Sequence, residues 1–263
     1  KNNVYLKSIT SFEGLSSTIS GKKYGFEKTS TDFEEVLNDK ESQGIVISTR
    51  HNSHSELIIK SLKLGKDVYV EKPMCLNIKE LNEIKNCYIN LLNEGNKPIL
   101  MVGFNRRFSP HIIRINNLLK NVNAPKSIVM TINAGFIHED HWTQDAKIGG
   151  GRIIGEVCHF IDLLLAIVKS PILSWKRSVL SNNLDNLSIL FTFEDGSIGT
   201  VNYFTNGPKS FPKEKIEIFS NGAVLQLNNF KSLKGFAWKG FNKYNLWQQD
   251  KGHIGSVKSF VNS

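Results

Sequence analysis

Short apolar runs and amphipathic stretches alternate through the first hundred residues. Val4 to Thr10 reads as a strand, and helical patterning follows at Leu15 to Tyr24 and Asp32 to Leu37. Gly44-Ile45-Val46-Ile47-Ser48 is a short apolar run of the kind found in buried parallel strands. Asn52 to Leu64 carries Leu57, Ile58 and Leu62 on one side of a helix, with Gly65 placed to end it. Asp67 to Val70 is the next strand. Ile78, Leu81, Ile84, Tyr88 and Leu91 then recur at helical spacing, and Pro98 to Val102 closes the series at Gly103. Repeated strand–helix–strand units predict a parallel sheet with helices on its faces.

Beyond Gly103 the pattern changes. After a helix near Ile112 to Leu119, most of the chain alternates with period two. Leu187, Ile189, Phe191 and Phe193 point one way, with Ser188, Leu190 and Thr192 between them. Asp195-Gly196 and Asn221-Gly222 each separate two strand-like runs, which is the signature of a tight hairpin. One helix interrupts this part, and the spacing puts Ile154, Val157, Cys158, Ile161, Leu165 and Val168 on its apolar face. The expected architecture is α/β, with two domains. Residues 1–103 form a Rossmann-type parallel sheet, and residues 104–263 an α+β domain with an open, mostly antiparallel sheet.

Composition narrows the classes of function. A length of 263 residues suits one large or two modest domains at about 100–200 residues each. With 40% hydrophobic and 22% charged residues, a folded globular chain is expected. No apolar run approaches the ~20 residues that span a bilayer, and nothing reads as a secretory signal, so no membrane partner is expected. The three cysteines, Cys75, Cys87 and Cys158, form no CxxC pair, which argues against a disulfide framework or structural zinc and for a reducing cytoplasm. The net charge of +9 is spread in pairs such as Lys22-Lys23 and Arg106-Arg107. No basic block interleaves with aromatics, so nucleic acid is not an expected partner, while an anionic substrate or phosphate-bearing cofactor suits the field.

The chemistry-bearing residues sit in two places. Glu71-Lys72-Pro73 follows the Asp67 to Val70 strand directly, where parallel sheets bind ligands at their carboxyl ends. A lysine there can hydrogen-bond a substrate hydroxyl and tune its proton transfer; a plain charged loop is the other reading. Gly149-Gly150-Gly151 leads into a helix on which His159 adjoins Gly155, Glu156 and Asp162. A histidine flanked by carboxylates can relay protons, or serve as a hydrogen-bonded structural residue. The segment His138-Glu139-Asp140-His141 reads as a polar loop rather than a metal site, and no metal is expected. No GxGxxG phosphate loop occurs anywhere, so Val4 to Thr10 takes the place of a second Rossmann strand, the first being apparently lacking.

Ser48 to Pro73 and the Gly149 to Asp162 stretch together resemble the two signatures of the Gfo/Idh/MocA oxidoreductase family. Ser11 to Ser16, Val102 to Phe108, Asn206 to Lys209 and Asp250 to His253 resemble the bi-domain branch, in which a zinc-alcohol-dehydrogenase-like half is fused to this one. The resemblance implies an NAD(P)-dependent dehydrogenase or reductase. It would move hydride between nicotinamide and a sugar, cyclitol or nucleotide-sugar-like alcohol or ketone. Lys72 and His159 fall on the catalytic positions. Ser11, Thr49, Arg50, His51, His54, Glu71 and Lys72 fall around the cofactor, and Arg106, Trp142 and Asp162 near the substrate. Ser11 is neutral where an acid would favour NAD, so NAD and NADP both stay open.

The family's usual acid four residues before the histidine is Gly155 here, and Glu156 is the expected substitute, orienting His159. A homo-oligomer, with an associated or fused zinc-alcohol-dehydrogenase-like domain, is also implied. Set against the family pattern, the chain is expected to be short ahead of Lys1 and clipped after Ser263. The rival expectation is a catalytically silent binding or assembly module, or a truncated fragment of a larger dehydrogenase, favoured by Gly155 and the missing phosphate loop.

Overall fold

A computed structural model describes residues 4–12, 14–181 and 183–263. Lys1 and Glu13, part of the Ser11 to Ser16 stretch, lie outside the described residues. The chain divides into two units: Lys1–Gly103 with Lys147–Gly150 and Lys258–Ser263, and Phe104–Ala146 with Gly151–Val257.

The first unit is built from β1 (Ser8–Thr10), α1 (Gly14–Tyr24), β2 (Lys28–Ser30), α2 (Phe33–Asn38), β3 (Gly44–Ile47), α3 (His54–Lys63), β4 (Asp67–Val70), α4 (Ile78–Asn93) and β5 (Leu100–Val102). All its strand pairs are parallel, but they fall into two sheets, β1-β2 and β3-β4-β5. Among the described residues β1 pairs only with β2, and β3 only with β4. This is the Rossmann pattern without its first strand, which would lie between β1 and β3. Val46 of β3 is accordingly 63% exposed. The strand expected over Val4 to Thr10 is shorter than its pattern, because only Ser8–Thr10 finds a ladder partner.

Local signals explain the helix ends. Asn77 caps α4 by accepting from the Glu80 N–H at 3.0 Å, and Glu80 accepts from the Leu76 N–H at 2.8 Å. Gly65, at φ +71°, closes the end of α3. The apolar stripes of α3 and α4 meet β3, β4 and β5 in one core of Ile47, Ile58, Leu62, Val68, Val70 and Ile84.

The second unit holds α5 (Pro110–Leu119), β6 (Ser127–Asn133), α6 (Cys158–Val168), β7 (Ile172–Leu180), β8 (Asn183–Phe193), β9 (Ile198–Phe204), β10 (Glu214–Ser220), β11 (Ala223–Asn228), β12 (Ser232–Phe236) and β13 (Lys243–Asn245). Helix α7 (His253–Val261) begins here and ends among the residues of the first unit. The sheet runs β13-β12-β11-β10-β6-β9-β8-β7, antiparallel except for the β6–β9 pair. Both hairpins marked by Asp195-Gly196 and Asn221-Gly222 form, as β8–β9 and β10–β11. Inward residues of the strands pack with α5 and α6 into one large core. Gly199 leaves room for Leu164 of α6, which a β-carbon there would overlap at 2.7 Å.

The helix expected over Ile154 to Val168 is not uniform. Ile153–Val157 is a π-helical turn, and the α-helix proper starts at Cys158. Of the expected face, Val157 and Val168 are buried and Ile161 and Leu165 pack partly against the core, but Ile154 is exposed and Cys158 half-buried, while Phe160, Leu163, Leu164 and Ile167 are buried instead. The expected face was therefore right in part and shifted around the helix in the rest. A π turn holds one residue more per bond than an α turn, so a single 3.6 periodicity cannot run through it. The helix is also apolar almost all round, which leaves its pattern ambiguous.

Candidate active site

In the first unit the candidate residues gather after β3 and β4, at the carboxyl end of the parallel strands. Glu71 and Lys72 leave β4 half-buried, and the Lys72–Pro73 peptide is cis. Glu71 packs against the backbone of Gly103 just after β5, where a β-carbon would come within 3.2 Å of its carboxylate and 3.0 Å of the Tyr69 hydroxyl. Thr49 and the exposed Arg50 follow β3, and Thr49 shares a 2.6 Å hydrogen bond with Ser53.

The two histidines of this turn are braces. His54 is fully buried, with Nδ1 2.7 Å from the Pro73 carbonyl and Nε2 3.0 Å from that of Thr49. The resemblance places it around the cofactor; here it ties the turn after β3 to the Lys72–Pro73 segment. His51 is also buried, with Nδ1 2.8 Å from the Gly149 carbonyl, and the Asn52 N–H donates to Ile148 at 3.1 Å. These contacts join the triple-glycine stretch to the same turn. Burial holds the His51 imidazole below its ordinary pKa, helped by His54 and Lys72 and opposed by the Gly149 carbonyl. Ser11 follows β1 and accepts from the Ser17 N–H in the first part of α1 at 3.0 Å.

In the second unit His159 is the second residue of α6, 4% exposed, with its ring edge-on to Phe104 at 5.8 Å. Glu156 was expected to orient it. The structure commits that carboxylate elsewhere: to the Tyr203 hydroxyl, to Lys213 Nζ at 3.1 Å and to Arg152 Nη2 at 3.3 Å. Glu156 lies in the π turn and His159 in the α-helix after it, so ordinary three-residue helical spacing does not bring them together, and the carboxylate meets Tyr203 of β9. Burial opposes ionisation of Glu156, but Lys213, Tyr203 and Arg152 outweigh it and hold the carboxyl down at about 2. Burial, then Glu156, push the Tyr203 hydroxyl up.

Two expected substrate residues are internal ion pairs. Arg106 is 6% exposed and makes two hydrogen bonds to Glu214, with its guanidinium 4.9 Å from the Phe160 ring centre. Asp162 is 8% exposed and is held by Arg107, with Nε 3.0 Å from Oδ2. Burial raises the Asp162 carboxyl, and Arg107 opposes it. In both, the side chain's charge is already met inside the second unit, which is a structural use beside the substrate role that the resemblance implies. Trp142 is half-buried in the loop after β6, its ring 5.9 Å from that of His141. In the same loop His138 and Asp140 pair at 3.1 Å, and among the described residues no group of three or more His, Cys, Asp or Glu could hold a metal. Tyr203, Lys213 and Glu214 escaped the sequence reading because their partners are 47, 57 and 108 residues away.

Residues 9–94 match the model of a family described as oxidoreductase family, NAD-binding Rossmann fold. Myo-inositol 2-dehydrogenase of Thermotoga maritima is 23% identical over 221 residues, covering 80% of this chain and 64% of its own length. The scyllo-inositol 2-dehydrogenase (NAD(+)) of Bacillus subtilis is 38% identical over 89 residues, 34% of this chain and 25% of its own. Among solved structures, levoglucosan dehydrogenase in complex with NADH and levoglucosan superposes with a TM-score of 0.82 at 17% identity, over 98% of this chain and 80% of that one. The fold and the profile together define the class, a Rossmann-type domain followed by a mostly antiparallel α+β domain. Within that class, residues 9–94 are similar to the Gfo/Idh/MocA family, whose model they match. It spans 64% or less of the length of the curated relatives it matches. Among the described residues no helix is long and apolar enough to cross a membrane.

Proposed function

We propose that this chain carries the nicotinamide-side chemistry of an NAD(P)-dependent dehydrogenase acting on a sugar or cyclitol alcohol or the matching ketone. The observation that carries the reading is Lys72 at the carboxyl end of β4, braced through His54, inside the span that matches the family. The relatives named as inositol dehydrogenases and the levoglucosan dehydrogenase complex support the substrate class.

The residues after β3, β4 and β5 fit the nicotinamide end of the cofactor. Gly103 keeps the space beside Glu71 open, and Arg50 offers a cation for a phosphate. When bound, the cofactor supplies the hydride acceptor or donor at C4 of its ring. In oxidation the carbinol carbon loses its hydrogen as hydride while the hydroxyl proton leaves to a base. Lys72 polarises the hydroxyl or carbonyl oxygen, and His159 relays the proton. Glu156 takes no part in that transfer in this reading, since its carboxylate already serves three donors.

The test is turnover of a panel of cyclitols and anhydrosugars with NAD+ or NADP+, before and after Lys72→Ala. A loss of about 10²–10⁴-fold is expected of a missing general acid or base. Unchanged turnover in Lys72→Ala would overturn the reading. A second reading, a silent binding module, draws support from Gly155 and from the commitment of Glu156 to Tyr203 and Lys213. Titration of the chain with NADH and NADPH by fluorescence separates the two: binding near micromolar favours the enzyme, and none favours the module.

A further inference from the structure

The turn that delivers His159 is of an uncommon kind. π turns are rare because they open the helix around one extra residue, and they persist where surrounding contacts hold them. Val157 is itself helical, at φ −63° and ψ −27°, so the π turn runs directly into α6 with helical residues on both sides. The holding contacts come from distant elements. Arg152, 3% exposed, donates to the Gly135 carbonyl at 2.6 Å and to Glu156, and its guanidinium lies 5.3 Å from the Tyr203 ring centre. Tyr203 of β9, itself fully buried, donates its hydroxyl to Glu156. Lys213, just before β10, closes the other carboxylate oxygen at 3.1 Å.

We propose that Tyr203, acting through Glu156, is a positioning residue for His159: the Arg152–Glu156–Tyr203–Lys213 cluster locks the π turn and thereby sets where the imidazole is presented. The role assigned to His159 rests on the function proposed above; the lock itself does not. Glu156 is anchored on the rigid centre of the sheet, because β9 lies between β6 and β8. Arg152 carries the same restraint to the root of the loop that bears Trp142, since its bonds end on Gly135. His159 follows Glu156 by three residues, so any relaxation of the turn rotates the imidazole relative to Phe104. A carboxylate that would usually contact the histidine is thus replaced by one that fixes the backbone beneath it.

The experiment uses the full chain with 13C,15N-labelled histidine. Tyr203→Phe deletes one hydroxyl and keeps the ring. The imidazole resonances of His159, assigned by their loss in His159→Asn, are expected to shift or broaden, while those of His111, fully buried on α5 in the same unit, stay in place. Glu156→Gln should do the same, and the double variant no more than either alone, as for residues acting as one unit. Should Tyr203→Phe fail to fold, Lys213→Met carries the test, since Lys213 stands at the half-exposed end of the cluster.

Unmoved His159 resonances in the folded variants overturn the proposal. Where turnover is measurable, Tyr203→Phe should lower kcat about ten- to hundredfold with KM unchanged, the effect of misplacing a reacting group by about an ångström. An unchanged kcat counts against the lock. Absence of turnover in the parent chain would sink the proposed function while the resonances still decide the lock.

Discussion

Arg106 and Glu214 form a two-point ion pair inside the second unit, with Nε 2.8 Å from one carboxylate oxygen and Nη2 2.9 Å from the other. Their side chains are 8% and 1% exposed, and Lys251 adds a third bond to Glu214 at 2.6 Å. Burial opposes ionisation of Glu214, but Arg106 and Lys251 keep its carboxyl below the usual carboxylate range. The pair joins the segment after Gly103 to the first residue of β10, and through Lys251 to the approach to α7. An arginine that the resemblance places near the substrate also serves as a structural clamp.

Removing Glu214 leaves both Arg106 and Lys251 without their carboxylate, while removing Arg106 leaves Glu214 to Lys251 alone. Arg106→Ala or Glu214→Ala should each destabilise the protein by about 3–5 kcal/mol, as broken buried pairs do. Urea denaturation checks it through the midpoint. Arg106→Met with Glu214→Leu should be much milder than the sum of the two single losses, because the one charge left over is that of Lys251, which is the more exposed of the three. If the single variants melt like the parent, the clamp contributes nothing.

Acid should expose Glu156. Its carboxyl is held down at about 2, against about 4.3 for a free glutamate. The unfolded chain therefore binds a proton that the folded chain refuses between those values. Stability from this group is complete above about pH 4.3 and is lost as pH falls through the folded value near 2. His111 behaves likewise at higher pH. Burial lowers its pKa, with the Lys231 and Tyr244 carbonyls and Asp250 opposing, so its contribution is present above about pH 6.5 and fades as pH falls below that. Urea midpoints from pH 8 to pH 3 should fall in two stages, the upper one reduced in His111→Gln and the lower in Glu156→Gln. His51, whose pKa burial also lowers, keeps part of the upper stage in place.

Gly252 tests a backbone contact. Its φ is +86°, and a β-carbon would collide with the Asn105 carbonyl and the Ser109 N–H. Asn105 also donates to the Lys251 carbonyl at 2.8 Å, and Ser109 to that of Asp250 at 2.8 Å, so the two segments are laced together at this point. Gly252→Ala should therefore cost more than the ~1 kcal/mol of an ordinary glycine replacement and lower the melting temperature by several degrees. Gly65→Ala is the control: φ is +71° there, with nothing within 4 Å of the added carbon. Equal losses in the two variants would mean that strain alone, and not contact with Asn105 and Ser109, makes Gly252 necessary.

What could be read from sequence depended on the range of the interaction. Parallel strands, hairpins and helix ends are set by neighbours a few residues apart, so Ile45, Ile47, Val68 and Val70 marked β3 and β4, and Asp195-Gly196 marked the β8–β9 turn. The gap between β1 and β3 was legible too, from the absence of a glycine-rich turn beside Val4 to Thr10. Side-chain partners were not. Glu156 lies three residues from His159 on any helical wheel, and only the π turn and Tyr203, 47 residues on, decide which way it faces. Likewise nothing near Arg106 announces Glu214, and nothing near His54 announces that Pro73 closes over it.

His54 gives the sharpest test of how the Lys72 segment is held. Its ring lies 2.7 Å from the Pro73 carbonyl and 3.0 Å from that of Thr49, and no part of it reaches solvent. His54→Leu keeps an apolar side chain of similar bulk and removes both contacts. The carbonyl that receives the ring N–H then loses its donor, at about 1–3 kcal/mol where water cannot replace it. The urea midpoint should drop accordingly. The larger effect expected is on ligand: with Thr49 and Pro73 no longer joined, Lys72 and the turn after β3 can separate, and NADH affinity should fall at least tenfold in whatever chain binds it. Lys72→Ala in the same titration should weaken NADH less than His54→Leu does, because it removes one contact and leaves the frame standing. A His54→Leu protein that is destabilised yet binds NADH as tightly as the parent would show that the brace serves the fold alone.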